Sequence, residues 1–171
     1  MSITKKDVLK NLDEIKKYIE EIEKPNLELE NKNFRINSVG WKMERTNIKG
    51  LRVLVNPEGD IWEYLDGEFK GEQLFTFDSM MRETKKRNKK VPTDDEFDKL
   101  IFDKDDIKGG LLAGTRSYTG SFGSLGLFGN FWSSTENGSS AWRRILYTTE
   151  SRVYRSINGK SYGYSVRCLK H

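Results

Sequence analysis

Tyr162, Tyr164, Val166 and Cys168 alternate with Ser161, Gly163, Ser165 and Arg167 near the end of the chain. A two-residue period of this kind describes a β-strand with one buried face and excludes a helix. Asn158-Gly159, just ahead of it, is the strongest short-range hairpin signal and predicts pairing with a strand that carries Val153. The whole last third, from Phe131-Trp132-Ser133-Ser134-Thr135-Glu136-Asn137 onward, concentrates Gly, Ser, Trp, Tyr and Arg. That mixture supplies large rigid contact groups and adaptable hydrogen bonds but little acid–base chemistry, so it points to recognition before catalysis.

A chain of 171 residues can bury one good core. Charged residues make up 33% and aromatic residues 12%, which describes a polar surface over an ordered interior. The net charge of +4 comes from 30 basic residues interspersed with 26 acidic ones, too small an excess to imply a polyanionic partner. The densest basic run, Lys85-Lys86-Arg87-Asn88-Lys89-Lys90, ends a helical pattern, where cations meet the negative pole of the macrodipole. A solvated helix end accounts for it better than a phosphate-binding patch. The lone Cys168 excludes an intrachain disulfide, and its place in the alternating strand predicts a buried thiol. There is no apolar leader and no stretch of membrane-spanning length, so membrane insertion is not expected. Location is left open among a phage particle, the cytoplasm and export by another route.

Val8, Leu12, Ile15, Ile19 and Ile22 recur at alternating spacings of four and three, the stripe of an amphipathic helix or short coiled coil ended by Pro25. So short a seam is marginal alone; it packs on the globular part or joins identical helices in a homo-oligomer. The polar stretch Pro25 to Asn33 favours the second, which divides the chain into a helix and linker over 1–33 and a domain over 34–171. Within the domain, Leu51-Arg52-Val53-Leu54-Val55 and Ile61-Trp62-Glu63-Tyr64 flank the turn Asn56-Pro57-Glu58-Gly59-Asp60 as a hairpin. Thr76 to Arg87 reads as one helix, and the capping box Thr93-Asp94-Asp95-Glu96 opens another through Phe102. Phe77, Met80 and Met81 in the first, and Phe97, Leu100 and Ile101 in the second, predict that both lie against a sheet. From Gly109-Gly110 to Asn130 the chain reads as loop with short strands. The class is α+β.

Catalytic and metal-binding groups are scarce. The only histidine, His171, is the last residue. Neither Asp94, Asp95, Glu96 and Asp98 nor Asp103, Asp105 and Asp106 match a calcium loop, and helix capping explains the first cluster. The glycines of 109–129 precede no Lys-Ser or Lys-Thr pair and are turns, not a phosphate cradle. No catalytic residue, metal or cofactor is assigned. What remains is Trp142 to Gly159. If Leu146 points inward, Arg143, Ile145, Tyr147 and Thr149 point outward, and exposed aromatic and Arg side chains mark binding surfaces. The alternative is a central strand covered on both faces.

Trp132-Ser133-Ser134-Thr135-Glu136-Asn137-Gly138, Ala141-Trp142 with Arg144 and Leu146, and Lys160-Ser161 with Gly163 and Ser165-Val166-Arg167-Cys168 resemble the C-terminal signature of the Fibrobacter succinogenes major paralogous domain family. That family resembles the C-type-lectin-fold variable proteins of diversity-generating retroelements. The likeness spans about 51–169 and includes Val91-Pro92-Thr93-Asp94-Asp95-Glu96-Phe97, similar to the family's Pro-Thr-acidic helix start. It implies a C-type-lectin fold of the formylglycine-generating-enzyme-like subtype: irregular, with short strands and two helices, here preceded by the N-terminal amphipathic helix. It also implies a variable region over about 131–168, where relatives carry Asn whose codons are mutated at adenines. Arg143, Ile145, Tyr147, Thr149, Tyr154, Ser156, Ile157, Asn158 and Gly159 are each reachable from an AAC codon by adenine changes alone; Trp142, Lys160 and Glu150 are not. A single cysteine counts against the reactive cysteine pair of formylglycine-generating enzymes, and the Glu-Pro-Asn sugar motif of calcium-dependent lectins is absent.

The resulting expectation is a non-enzymatic protein that binds a protein or cell-surface ligand through those nine residues, gaining avidity if the first helix oligomerises. The runner-up is a nucleic-acid-binding module using Arg143, Arg144, Arg152 and Arg155 with Tyr147 and Tyr154 as stacking platforms.

Overall fold

Thr4 and Asp7 cap each other at the start of the first helix, Thr4 N–H donating to Asp7 Oδ2 (3.0 Å) and Asp7 N–H to Thr4 Oγ1 (3.2 Å). The computed structural model describes residues 2–23, 27–100 and 112–170. α1 (Lys5–Glu23) is followed by β1 (Lys42–Arg45), β2 (Arg52–Val55), β3 (Ile61–Tyr64) and β4 (Gln73–Phe75), an antiparallel sheet in sequence order. The β2–β3 hairpin forms as the turn chemistry requires: Asn56 Oδ1 accepts from the N–H groups of Asp60 and Ile61 (both 2.9 Å), and Gly59 takes a left-handed φ of 72°. β3 is buried on both faces, Ile61 reaching one apolar cluster and Trp62 and Tyr64 another.

α2 (Phe77–Lys86) is capped by Thr76, whose Oγ1 accepts from Ser79 N–H (3.2 Å). It buries Phe77 and Met80 but leaves Met81 exposed. α3 (Asp94–Lys99) has the full capping box of Thr93 and Glu96. It ends earlier than the sequence pattern suggests, because Leu100 is already extended; Ile101 and Phe102 lie outside the described residues. Both helices pack on β strands, as expected. β5 (Thr115–Arg116) and β6 (Phe122–Gly123) pair as a small ribbon. Gly114 ahead of it has φ 71°, and a Cβ there would sit 2.2 Å from Gly123 O, so only glycine fits. β7 (Phe128–Asn137), β8 (Ser140–Tyr147) and β9 (Val153–Gly159) make the last antiparallel sheet, with β8 in the centre and a bulge between Trp132 and Glu136.

Two expectations are corrected. The segment 161–168 is not a strand hairpinned to β9. Asn158-Gly159 closes β9, and Lys160 and Ser161 then turn the chain. The extended backbone beyond runs between the other elements: Tyr164 exchanges hydrogen bonds with Phe75 (2.8 and 3.0 Å), Ser165 N–H donates to Asn130 O (3.0 Å), and Phe34 N–H to Val166 O (2.7 Å). It is therefore buried at every position from Gly163 to Leu169, the small Ser165 and the hydrogen-bonded Arg167 included, and not on alternate residues only. The buried Cys168 thiol is as expected, pushed up to about 12 by its burial. Secondly, 27–33 is not a separating linker. Glu30 N–H donates to Cys168 O (2.8 Å), Lys170 N–H to Glu28 O (2.7 Å), and Leu27 and Leu29 pack on Phe97, Leu100 and Leu169. The structured domain thus takes in residues ahead of Phe34.

Trp132 links these pieces, its ring buried beside Phe77 and Tyr164 and its Nε1 donating to Phe75 O (2.8 Å). Trp132→Ala removes that packing and one of the two hydrogen bonds to Phe75 O, which still accepts from Tyr164 N–H. Urea unfolding should show a loss of about 3–5 kcal/mol.

Candidate functional site

β8 lies between β7 and β9, so strand alternation divides the side chains of all three strands between two faces. Tyr147 stands opposite Phe128; Ile145 between Asn130 and Tyr154; Arg143 between Trp132 and Ser156; Ala141 opposite Asn158. These residues share the front. Leu146 stands between Gly129 and Val153, Arg144 between Phe131 and Arg155, and Trp142 opposite Ile157; these share the back.

The back holds the sheet to the rest of the protein. Leu146 packs with Phe131, Val153 and Leu112. Arg144 and Arg155 are direct cross-strand neighbours, a like-charge pair that repels unless something lies between them. Asp94, at the start of α3, supplies it. Arg144 Nη1 donates to Asp94 Oδ1 (2.5 Å), and Arg155 Nε and Nη2 donate to Asp94 Oδ2 (2.9 and 2.6 Å). Arg144 Nη2 also reaches Asp98 Oδ1 (2.8 Å), and the Arg155 guanidinium lies 3.5 Å over the Trp142 ring. Burial pushes the Asp94 carboxyl up, but hydrogen bonds and charge from Arg155 and Arg144 outweigh it and hold the group below its ordinary range.

The front carries aromatic and amide groups. Tyr147 meets Phe128 and Tyr154 edge-on, with centroids 4.7 and 5.3 Å away. Arg143 Nη1 donates to Asn130 Oδ1 (2.7 Å) and to the Tyr164 hydroxyl (2.9 Å), while Asn158 Nδ2 donates to the same hydroxyl (2.6 Å). Burial pushes the Tyr164 phenol up to about 12, so it stays neutral as the floor of this network. Tyr162 stacks loosely on Tyr164 and on the exposed Tyr118.

Of the nine sequence-predicted residues, Arg143, Ile145, Tyr147, Tyr154, Ser156 and Asn158 share the front. Thr149 is exposed in the β8–β9 turn. Ile145 corrects the expectation of a solvent-facing side chain: it is 7% exposed, because the middle of β8 is covered on both faces. Ile157 and Gly159 fall on the back by strand parity, Ile157 exposed there. Sequence reasoning missed Phe128, Asn130, Tyr162 and Tyr164 as parts of the front. Asn130 could have been found from its even spacing to Trp132; the tyrosines could not, because their alternation read as core.

The arginines of the runner-up reading are divided likewise. Arg144 and Arg155 are engaged with Asp94, leaving Arg143 and Arg152 on the front, the latter 5.0 Å over the Tyr154 ring. The basic run after α2 is also matched by acids: Lys86 and Arg87 by Glu83, Lys89 by Glu30, and Lys90 by Glu96. Among the described residues no three His, Cys, Asp or Glu side chains assemble as a metal site, and no helix is long and apolar enough to cross a membrane. His171 and Asp103, Asp105 and Asp106 lie outside the described residues. Compared with known protein families, curated proteins and solved structures, the chain finds no match.

Asp94→Asn takes from buried Arg144 the nearer of its two carboxylates, leaving Asp98, and should cost about 2–3 kcal/mol in chemical unfolding, below the cost of a fully unpaired buried charge. The sign of the pH dependence follows from the lowered carboxyl of Asp94. Its stabilisation is full above the ordinary aspartate value of 3.8 and is lost as pH falls through the lower folded value. The acid limb of the stability profile should accordingly flatten in Asp94→Asn, with the remainder carried by Asp60, Glu83 and Glu96, whose carboxyls are also lowered.

Proposed function

We propose that this is a non-enzymatic ligand-binding protein of C-type-lectin fold, a variable protein of the diversity-generating-retroelement kind, which meets a protein or cell-surface ligand with the front of the β7–β8–β9 sheet. One observation carries the reading: the faces of this sheet divide labour. Trp142, Arg144, Leu146, Val153 and Arg155 on the back hold the sheet to α3 and to an apolar cluster. Arg143, Tyr147, Tyr154, Ser156 and Asn158 on the front are half-exposed, as a surface open to exchange requires. Of the nine residues at positions where relatives carry Asn, six lie on the front and none is among the back's anchors.

The front suits recognition. Tyr147 and Tyr154 are rigid amphipathic contact groups that lose little conformational entropy on binding. Arg143 has only neutral partners, Asn130 and Tyr164, among the described residues, so its charge is free for an acceptor on the ligand. The nucleic-acid reading is weaker, because two of its four arginines are already paired with Asp94 and Asp98.

The test needs no ligand in hand. Codon libraries at Arg143, Tyr147, Tyr154, Ser156 and Asn158 are expected to give mostly folded, protease-resistant protein on a cell-surface display, whereas libraries at Trp142, Arg144, Leu146, Val153 and Arg155 should not. Equal losses would remove the division of labour. A panel of cell-surface proteins then supplies a ligand. Tyr147→Ala with Tyr154→Ala should abolish its capture with little change in melting temperature, while Ile157→Ala on the back should leave capture intact. Diversification itself predicts, beside the coding sequence, a reverse-transcriptase gene and a near-copy of the final segment differing only at adenines.

A further inference from the structure

α1 presents an apolar stripe that nothing among the described residues covers. Every residue from Ser2 to Glu20 is exposed, and Val8, Leu9, Leu12, Ile15, Tyr18 and Ile19 are each 45–66% accessible, with only Lys, Asp, Glu and Asn at the other positions of 5–20. Apolar groups at this density on one side of a short helix do not stay in water when a complementary surface is at hand.

We propose that the stripe is covered by α1 of a second copy, running antiparallel. The seam is a heptad with Lys5, Leu12 and Ile19 at its first core position and Val8, Ile15 and Ile22 at its second. In an antiparallel pair the two core positions face each other, giving Leu12–Ile15, Val8–Ile19 and Lys5–Ile22 layers from each helix, with no gap in the register.

Charge selects this direction over the parallel one. The first two turns of α1 hold Lys5, Lys6 and Lys10 against Asp7 alone, and its last turn holds Glu20, Glu21 and Glu23 with no base. Both ends oppose the macrodipole of their own helix, which favours acids at the start and bases at the end. A parallel pair stacks Lys5 on Lys5 and gathers the acidic ends together. Reversing one helix brings the Lys5-Lys6 end of each copy to the Glu20–Glu23 end of the other, opposes the two macrodipoles, and lays Leu9 along the aliphatic stem of Lys16. The isoleucines at the second core position disfavour a parallel two-stranded coil in any case. This inference uses no residue of the β7–β8–β9 front and stands whether or not that face binds a ligand.

Engineered cysteines read the arrangement directly, since Cys168 is buried and does not compete. The full chain should sediment at twice the monomer mass, and Leu12→Asp with Ile15→Asp should return it to monomer with an unchanged domain melting transition. Under oxidising glutathione, Val8→Cys mixed with Ile19→Cys should form a disulfide dimer, while neither alone does. Self-crosslinking of either single variant, a trimeric or larger mass, or a monomeric wild-type chain at concentrations well above micromolar would each overturn the proposal.

Discussion

Asp94 converts the worst local contact in the β7–β8–β9 sheet into its anchor. Two arginines face each other across adjacent strands, and in isolation that register would be penalised. A single carboxylate at the first residue of α3 takes both, its charge also favoured by the positive pole of the helix it opens. Because Arg144 is 4% exposed, the pairing is enforced: any slip of β8 would leave an unpaired charge in the interior. The helix, the central strand and the edge strand are thus locked in one register from behind. On the front, Trp132, Ala141 and Ile145 are buried, while the half-exposed Tyr147, Tyr154 and Ser156 at the rim carry no such duty.

Much of this was readable along the chain. The Asn56–Asp60 turn, the Thr76 and Thr93 caps, and the inward Leu146 follow from local chemistry, since each signal and its consequence lie within a few residues. The failures share one cause. Asp94 was explained as a helix-start acid, and that explanation is locally sufficient; its arginine partners are 50 and 61 residues away and leave no trace in local spacing. The threading of 163–169 between strands and the attachment of Leu29 and Glu30 to Cys168 and Leu169 are likewise long-range facts. Parity located the front correctly in kind but not in depth. Alternation says which side Ile145 points to; only the packing of neighbouring segments says that this side is closed over at the strand's centre and open at its ends.

The front is accordingly a stiff floor with an adjustable rim. Trp132 and Tyr164 belong to the core, yet the Tyr164 hydroxyl emerges to take hydrogen bonds from Arg143 and Asn158. A core phenol held neutral and in place gives the rim side chains a fixed point to brace against, so a new residue at the rim changes the contact chemistry without moving the support. Stiffness of this kind reduces the ordering cost that otherwise consumes binding energy.

A patch of this size still limits the affinity of any one encounter, and α1 bears on that limit. A helix of 19 residues is about 28 Å long, so an antiparallel pair holds its two chain exits at opposite ends. On the proposed pairing, two domains so tethered would engage two copies of a repeated ligand on a surface. The second contact is then made at an effective concentration set by the tether and not by the solution. On the proposed reading, exchange of rim residues would tune the single contact while the helix pair would multiply it, and neither change would disturb the other because they share no side chain.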